Sequence, residues 1–192
     1  MIEPKYIISW MNYIRNHPED KRFIECFWQS QIKSKYVLID SIKKYNPKNI
    51  AIFGGWFGIL SQLVECNFPE AEKIYSIDID PTCFDVFSQI DVGDKVRSRT
   101  SCMSAYDDFE GIDFVINTST EHVTQEIYDM WWNNIPSGTY YAIQGNNFDT
   151  LDEHIRCANS LEEFLQINHV EPLHTEIIDC NGFDRYMAIG IK

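Results

Sequence analysis

The sequence has no cluster of cysteines. Its six cysteines are spread along 192 residues, with no C-x-x-C pair among Cys26, Cys66, Cys83, Cys102, Cys157 and Cys180. Zinc sites and disulfide frameworks bring cysteines together at short, regular spacings, so we predict neither, and we expect no metal site. The histidines at 17, 154, 169 and 174 also have no companion at ligand spacing, and we interpret them as structural or surface residues.

Basic residues are also scarce. Lys and Arg number 16 against 29 Asp and Glu, which gives a formal net charge of −13. Because affinity for nucleic acid comes mainly from Lys and Arg that neutralise phosphates, we consider nucleic acid an unlikely partner. The acidity and the aromatic N-terminal region instead favour a small-molecule or peptide partner. The composition leaves the oligomeric state open.

Two further patterns are missing from the sequence. The N-terminus lacks a charged and then apolar signal pattern, and no apolar run approaches the length of a membrane span. We therefore expect a cytoplasmic protein without a membrane segment. The length suits one domain, here with an N-terminal helical extension.

Residues 49–81 carry the strongest local pattern. A short apolar run, 50–53, leads into the glycine-rich turn 54–58, a helical pattern, a second apolar run, 74–77, and then Asp78. This is the order and size of a βαβ unit. Such a turn lets backbone N–H groups approach a ligand, and an acid at the tip of the second strand can accept both hydroxyls of a ribose. The stretch therefore predicts a nucleoside-cofactor site.

The rest of the chain predicts more strands joined mainly by helices, and hence a mostly parallel sheet. Residues 1–46 predict helices, one ending at His17-Pro18 and a second running from Glu19 to Asn46-Pro47. Two patterns predict capped helix starts, Thr118 with Glu121 and Ser160 with Glu163. At the end, Asn181-Gly182 joins the strand patterns 169–180 and 183–191, which predicts an antiparallel hairpin.

From about residue 48 to 192, these features together resemble a class I S-adenosylmethionine-dependent methyltransferase. The resemblance implies a Rossmann-like three-layer αβα sandwich. Its seven-stranded, mostly parallel sheet would have the order 3-2-1-4-5-7-6, with an antiparallel C-terminal hairpin. It divides the chain into an N-terminal helical extension or lid, 1–46, and a cofactor-binding domain, 47–192. The implied cofactor is S-adenosylmethionine, and the implied reaction is direct methyl transfer to a small molecule or peptide.

The resemblance also assigns site residues. Those implied to bind the cofactor are Gly54, Gly55, Trp56, Phe57, Gly58, Asp78, Ile79, Ser101, Cys102, Met103 and Asn117. Near the reactive methyl group it places Asn117, Glu121 and His122; His122 would act as a general base, and Glu121 would orient it or bind a substrate amine. Gln144, Asn146 and Asn147, which follow the fifth strand, would offer amide groups to the substrate.

Two positions depart from the family pattern. Ile52 stands where the family usually has an acid, and Trp56 stands in place of its middle glycine. These departures keep two alternatives open. One is an enzyme of the same fold that transfers the aminopropyl or aminocarboxypropyl group of the cofactor, or cleaves it. The other is a non-catalytic interaction module.

Overall fold

The computed structural model describes residues 2–192. A single seven-stranded sheet has the order β3-β2-β1-β4-β5-β7-β6. Among the described strands β7 runs opposite in direction to the other six, which confirms the predicted fold class. The strands are β1 Asn49–Phe53, β2 Lys73–Asp78, β3 Val96–Thr100, β4 Phe114–Asn117, β5 Tyr140–Asn146, β6 His174–Asp179 and β7 Asp184–Ile191.

Seven α-helices surround the sheet: α1 Pro4–Asn16, α2 Lys21–Glu25, α3 Gln29–Ile42, α4 Ile59–Asn67, α5 Thr82–Phe87, α6 Gln125–Asn134 and α7 Leu161–Asn168. The predicted second helix is therefore two helices. The break between them places Phe27 against Trp10 and Phe23, with ring centroids 5.2 and 5.6 Å apart. None of the described helices combines the length and the apolar character that crossing a bilayer requires.

Alternation along the strands separates two apolar cores. Ile50 and Ile52 of β1 face the core under α1–α5, whereas Ala51 and Phe53 face the core under α6 and α7. Successive side chains of a strand point to opposite faces of the sheet, so one buried strand can serve both layers. The result is a three-layer αβα sandwich.

The N-terminal helices contribute directly to the first core. Phe23 of α2 and Leu38 of α3 are completely buried. The indole Nε1 of Trp10 donates a hydrogen bond to Oε1 of Gln62 on α4, at 2.8 Å. The helices α1 to α3 thus pack on the same sheet face as α4.

Two of the three local turn predictions are confirmed. Ser160 Oγ accepts a hydrogen bond from Glu163 N at 3.1 Å, as a capping box requires. Asn181 and Gly182 have φ angles of 59° and 119° and turn the chain between β6 and β7. The prediction of a capping box at Thr118 and Glu121 is wrong. Residues 120–122 form a short 3-10 turn, and α6 begins after Thr124, whose Oγ1 accepts from Ile127 N at 3.3 Å.

Candidate functional site

The carboxyl ends of β1, β2 and β4 open into a cavity of about 730 Å³. This volume lies within the usual range for small-molecule sites. Most residues that the sequence assigned to cofactor binding line it, namely Gly54, Gly55, Trp56, Phe57, Asp78, Ile79, Ser101, Cys102 and Met103. Segments from five loops, those after β1 to β5, and from α2 and α3 meet around this one space.

The first two glycines after β1 leave no room for a side chain. A Cβ on Gly54, whose φ is +64°, would lie 2.6 Å from Ser119 Oγ. A Cβ on Gly55 would lie 2.2 Å from Ser76 Oγ on β2. Since real Cβ atoms do not approach so closely, glycine is required for the turn to pass between β2 and the loop after β4.

Trp56 adopts a left-handed conformation, with φ of 49°, which is uncommon for any residue other than glycine. Its backbone N–H donates to Asp78 Oδ2 at 2.8 Å, and its ring stacks on Phe57 with centroids 5.3 Å apart. Trp56 therefore takes a backbone conformation that favours glycine and adds an aromatic ring to the cavity wall.

Asp78 joins the glycine turn to the end of β2. Its Oδ2 accepts from Trp56 N, and its Oδ1 accepts from Asp80 N at 3.0 Å. A carboxylate oxygen can accept about two hydrogen bonds, so each oxygen keeps capacity for one more donor. A carboxylate held in this way at a cavity wall can bind two neighbouring hydroxyl groups.

Two residues assigned to the cofactor lie behind the wall, in contrast to the sequence prediction. A Cβ on Gly58 would lie 2.3 Å from the Phe87 ring, so this glycine serves the packing of α5. Asn117 is fully buried, and its Oδ1 accepts from Ser119 N at 3.0 Å. Asn117 therefore positions the loop after β4, and the catalytic and cofactor roles predicted for it have no support in this geometry.

Glu121 and His122, on the 3-10 turn after β4, also line the cavity. His154, from the segment between β5 and α7, lies edge-on to His122 with ring centroids 4.7 Å apart. One ligand atom from each of these three residues lies within 4.8 Å of the others. The interpretation of His154 as an isolated residue is therefore wrong, because folding brings it to His122.

Charged groups surround this cluster. Nη2 of Arg185 on β7 lies 3.4 Å from Glu121 Oε1. Burial lowers the pKa of Lys35 on α3 to about 8, although the charge of Glu121 opposes this shift. The cavity wall lowers the pKa of His122 by desolvating its imidazolium, even though solvent reaches the side chain through the cavity.

The three residues predicted to bind substrate lie behind the wall, because neighbouring groups occupy their amides. Gln144 Nε2 donates to the Ser34 carbonyl at 3.2 Å, and Asn146 Nδ2 donates to Glu121 Oε1. Asn147 Oδ1 accepts from Asp184 N at 2.8 Å. Asn146 thus supports Glu121. Gln144, Asn146 and Asn147 are absent from the cavity lining.

The sequence matches no known protein family and no curated protein. Solved structures resemble the fold. N-methyltransferase NodS from Bradyrhizobium japonicum, in complex with S-adenosylhomocysteine, has a TM-score of 0.71 at 11% identity over 96% of this chain and 98% of its own. The 1,6-didemethyltoxoflavin-N1-methyltransferase of Burkholderia thailandensis has 0.64 at 12% identity, over 100% and 92%. Human N-acetylserotonin methyltransferase has 0.63 at 11% identity, over 95% and 59%.

The protein has the fold of class I S-adenosylmethionine-dependent methyltransferases. The TM-scores of 0.71 and 0.64 establish this architecture, and at identities of 11–12% the chemistry has to be argued from the residues of the site.

Sequence reasoning missed several charged or titratable residues on the cavity wall of this methyltransferase fold, among them Arg22, Lys35, His154 and Arg185. Two of them had a local signal. Lys35 interrupts the apolar stripe of α3, and Arg185 interrupts the apolar run of the last strand. His154 lies in an irregular segment without periodicity, so its place at the site depends on the folded chain.

Proposed function

We propose that the protein is an S-adenosylmethionine-dependent methyltransferase that acts on a small-molecule or peptide acceptor. The observation that carries this proposal is the carboxylate of Asp78, hydrogen-bonded to the backbone of the glycine turn at the wall of a 730 Å³ cavity. The methyltransferase fold and the ligand complexes of its structural neighbours support it.

The residues present fit this cofactor. Gly54 and Gly55 bring backbone to the cavity without a Cβ, and Asp78 keeps acceptor capacity for the two ribose hydroxyls. Cys102 and Met103 after β3 offer soft apolar groups to the adenine. When bound, the cofactor supplies a methyl group on a sulfonium, which is already an activated leaving group.

The task of the chain is then to hold an acceptor in line with that methyl group and to exclude water. Glu121, His122 and Arg185 line the cavity on the side of β4 and β7, which we call the acceptor end. Lys35 adds a second cation there. These groups can hydrogen-bond a polar acceptor, although the chain as a whole is acidic.

Calorimetric titration with S-adenosylmethionine and S-adenosylhomocysteine tests the proposal. We expect micromolar binding (about −8 kcal/mol) by the unchanged protein. Asp78→Ala should weaken it by about 100-fold or more, because two charge-assisted hydrogen bonds are lost. Asp107→Ala, in an exposed loop, is the control and should bind normally. Absence of binding by the folded, unchanged protein would refute the proposal and favour an interaction module.

Product identification separates the remaining alternative. Methyl transfer yields S-adenosylhomocysteine, whereas transfer of the aminocarboxypropyl group of S-adenosylmethionine yields methylthioadenosine. Incubation of the protein with the cofactor and a mixture of candidate acceptors, followed by mass spectrometry, distinguishes the two nucleosides. Accumulation of methylthioadenosine alone would replace methyl transfer by the alternative chemistry.

We further propose that α2 and the start of α3 cover the acceptor. Trp28 lies between these helices, lines the cavity and is 53% exposed, so its ring contributes little to the core. Trp28→Ala should therefore leave the melting temperature and cofactor binding unchanged but raise KM for the acceptor. An equal loss of cofactor affinity would show that Trp28 belongs to the cofactor site instead.

A further inference from the structure

Glu121 contains a buried carboxylate oxygen without a partner. The residue is 1% exposed. Its Oε1 accepts from Asn146 Nδ2 and lies 3.4 Å from Arg185 Nη2. Its Oε2 is buried and has no hydrogen-bond partner among the residues described. Since a buried polar atom left unsatisfied is costly, this oxygen indicates a missing ligand.

His154 is oriented so that one ring nitrogen is available. Its Nδ1 hydrogen-bonds to the carbonyl oxygen of Phe148. A carbonyl can only accept, so Nδ1 carries the proton and Nε2 has a free lone pair. Histidines that bind metals commonly donate their other ring N–H to a carbonyl or carboxylate in this way.

We propose that Glu121, His122 and His154 bind one divalent transition-metal ion at the acceptor end of the cavity. One carboxylate and two imidazoles suit ions such as Zn²⁺, Mn²⁺, Fe²⁺ or Co²⁺, whereas Mg²⁺ and Ca²⁺ prefer oxygen ligands. Three protein ligands also leave coordination positions open, as in catalytic metal sites.

Binding requires the ligand atoms to move closer together. They lie within 4.8 Å of one another, whereas bonds of about 2.1 Å in a tetrahedral site separate ligands by about 3.4 Å. His154 lies in an irregular, half-exposed segment, so this side can move with little cost to the core. Glu121 stays fixed by Asn146 and Arg185.

The metal proposal stands independently of methyl transfer, but its use in catalysis rests on the proposed function. The three ligands line the same cavity as Asp78 and the glycine turn. An ion held there has open positions for an oxygen or nitrogen atom of the acceptor. In this arrangement the metal orients the acceptor, and His122 acts as a ligand instead of a general base.

Titration of the metal-free, full-length protein with Co²⁺ tests the site. We expect one equivalent to bind with visible d–d absorption, Zn²⁺ to displace it, and Mg²⁺ at the same concentration to leave it bound. Two results would overturn the proposal: no binding of Co²⁺ or Zn²⁺ at millimolar concentration, or a near-ultraviolet band from thiolate-to-Co²⁺ charge transfer, which would assign the ion to a cysteine.

Variants locate the ion. His154→Ala and Glu121→Gln should each weaken Co²⁺ binding at least tenfold. His174→Ala, which removes another half-exposed histidine beside a glutamate, should bind Co²⁺ as the unchanged protein does. Because Glu121 is buried and its variant can misfold, His154→Ala decides the outcome. If His154→Ala retains full affinity, the proposed site is wrong.

Paired titrations separate this proposal from the proposed function. Asp78→Ala should bind Co²⁺ normally, and His154→Ala should bind S-adenosylmethionine normally. Binding of Co²⁺ at the three residues without cofactor binding would leave the metal site standing and refute methyl transfer. Cofactor binding without Co²⁺ binding would refute the metal site and leave the proposed methyl transfer standing.

Discussion

The two ends of the cavity are built in different ways. At the cofactor end, the glycine turn after β1 and Asp78 at the end of β2 come from one βαβ unit and are joined by the hydrogen bond from Trp56 N to Asp78. At the acceptor end, Glu121, His154 and Arg185 come from distant parts of the chain and meet through side chains. Local chain geometry determines the first end, and tertiary packing determines the second.

Different interactions therefore hold the residues of the two ends in position. The turn at Gly54 and Gly55 is held by strand pairing and by the lack of space for a Cβ. The 3-10 turn that carries Glu121 and His122 makes few backbone bonds and depends on neighbouring side chains. Substitutions at a distance should therefore affect the acceptor end more than the cofactor end.

Arg156 is the main such support, with 8% of its surface exposed. Its guanidinium also lies over the ring of Tyr128, 4.0 Å from the centroid. It donates to Gln125 Oε1, the carbonyls of Thr120 and Ile167, and Asn168 Oδ1. One side chain thus ties the turn before Glu121 to α6 and α7.

The largest effect is expected for Arg156→Met. It leaves several buried acceptors unpaired and should lower the free energy of unfolding by about 4 kcal/mol. Urea denaturation measures this loss. Arg97→Met is the matched control, because Arg97 also donates to backbone carbonyls but is exposed. Equal losses in the two variants would contradict the role of Arg156.

Lys35 should have the next largest effect, of opposite sign. Its pKa falls from 10.5 to about 8 on folding, so at pH 7 the folded state holds a disfavoured cation. Lys35→Met should raise the free energy of unfolding by about 3 kcal/mol. Below pH 8 both states hold the Lys35 proton, so the stability advantage of Lys35→Met is complete. Between pH 8 and 10.5 the unfolded state binds more protons than the folded state, so the unchanged protein gains stability and that advantage declines.

Denaturation of both proteins from pH 7 to 10.5 measures that difference. Lys33→Met, an exposed lysine on the same helix, should show no such dependence on pH. If the advantage of Lys35→Met stayed constant over this range, the group would not titrate as described. A cation kept at this cost on the cavity wall is consistent with a role in binding.

The same contrast explains what could be predicted from the sequence. Local patterns predicted the βαβ unit that ends at Asp78 and the Asn181-Gly182 hairpin, and the family resemblance that these patterns carry implied the strand order. Those patterns repeat or alternate along the chain, so they are visible without the fold. The contact of His154 with His122 has no such pattern. Thr118 shows the opposite case: a local pattern is present, but the predicted structure does not form. Thr118 and Glu121 have the spacing of a capping box, yet Thr124 caps α6 instead.

At the cofactor end, Gly55→Ala tests the close approach of the turn to β2. Its Cβ would overlap Ser76 Oγ, and we expect a loss of about 2 kcal/mol in the free energy of unfolding. Ser76→Gly in the same chain removes the overlapping side chain and should recover about 1 kcal/mol. A double-mutant cycle from urea denaturation measures this coupling. Additive losses would show that the cost of Gly55→Ala lies elsewhere.

The smallest effect is expected at a local feature in the acceptor half. Ser160 caps α7, and Glu163 Oε2 accepts from the backbone N–H of Asn159, one residue before the cap, at 2.7 Å. Ser160→Ala should cost about 1 kcal/mol of unfolding free energy, because one N–H at the helix start loses its partner. Cofactor affinity should not change, since the cap lies outside the cavity; thermal denaturation and calorimetry measure both. A loss of cofactor affinity in Ser160→Ala would show that the two ends are coupled through α7, against the separation argued here.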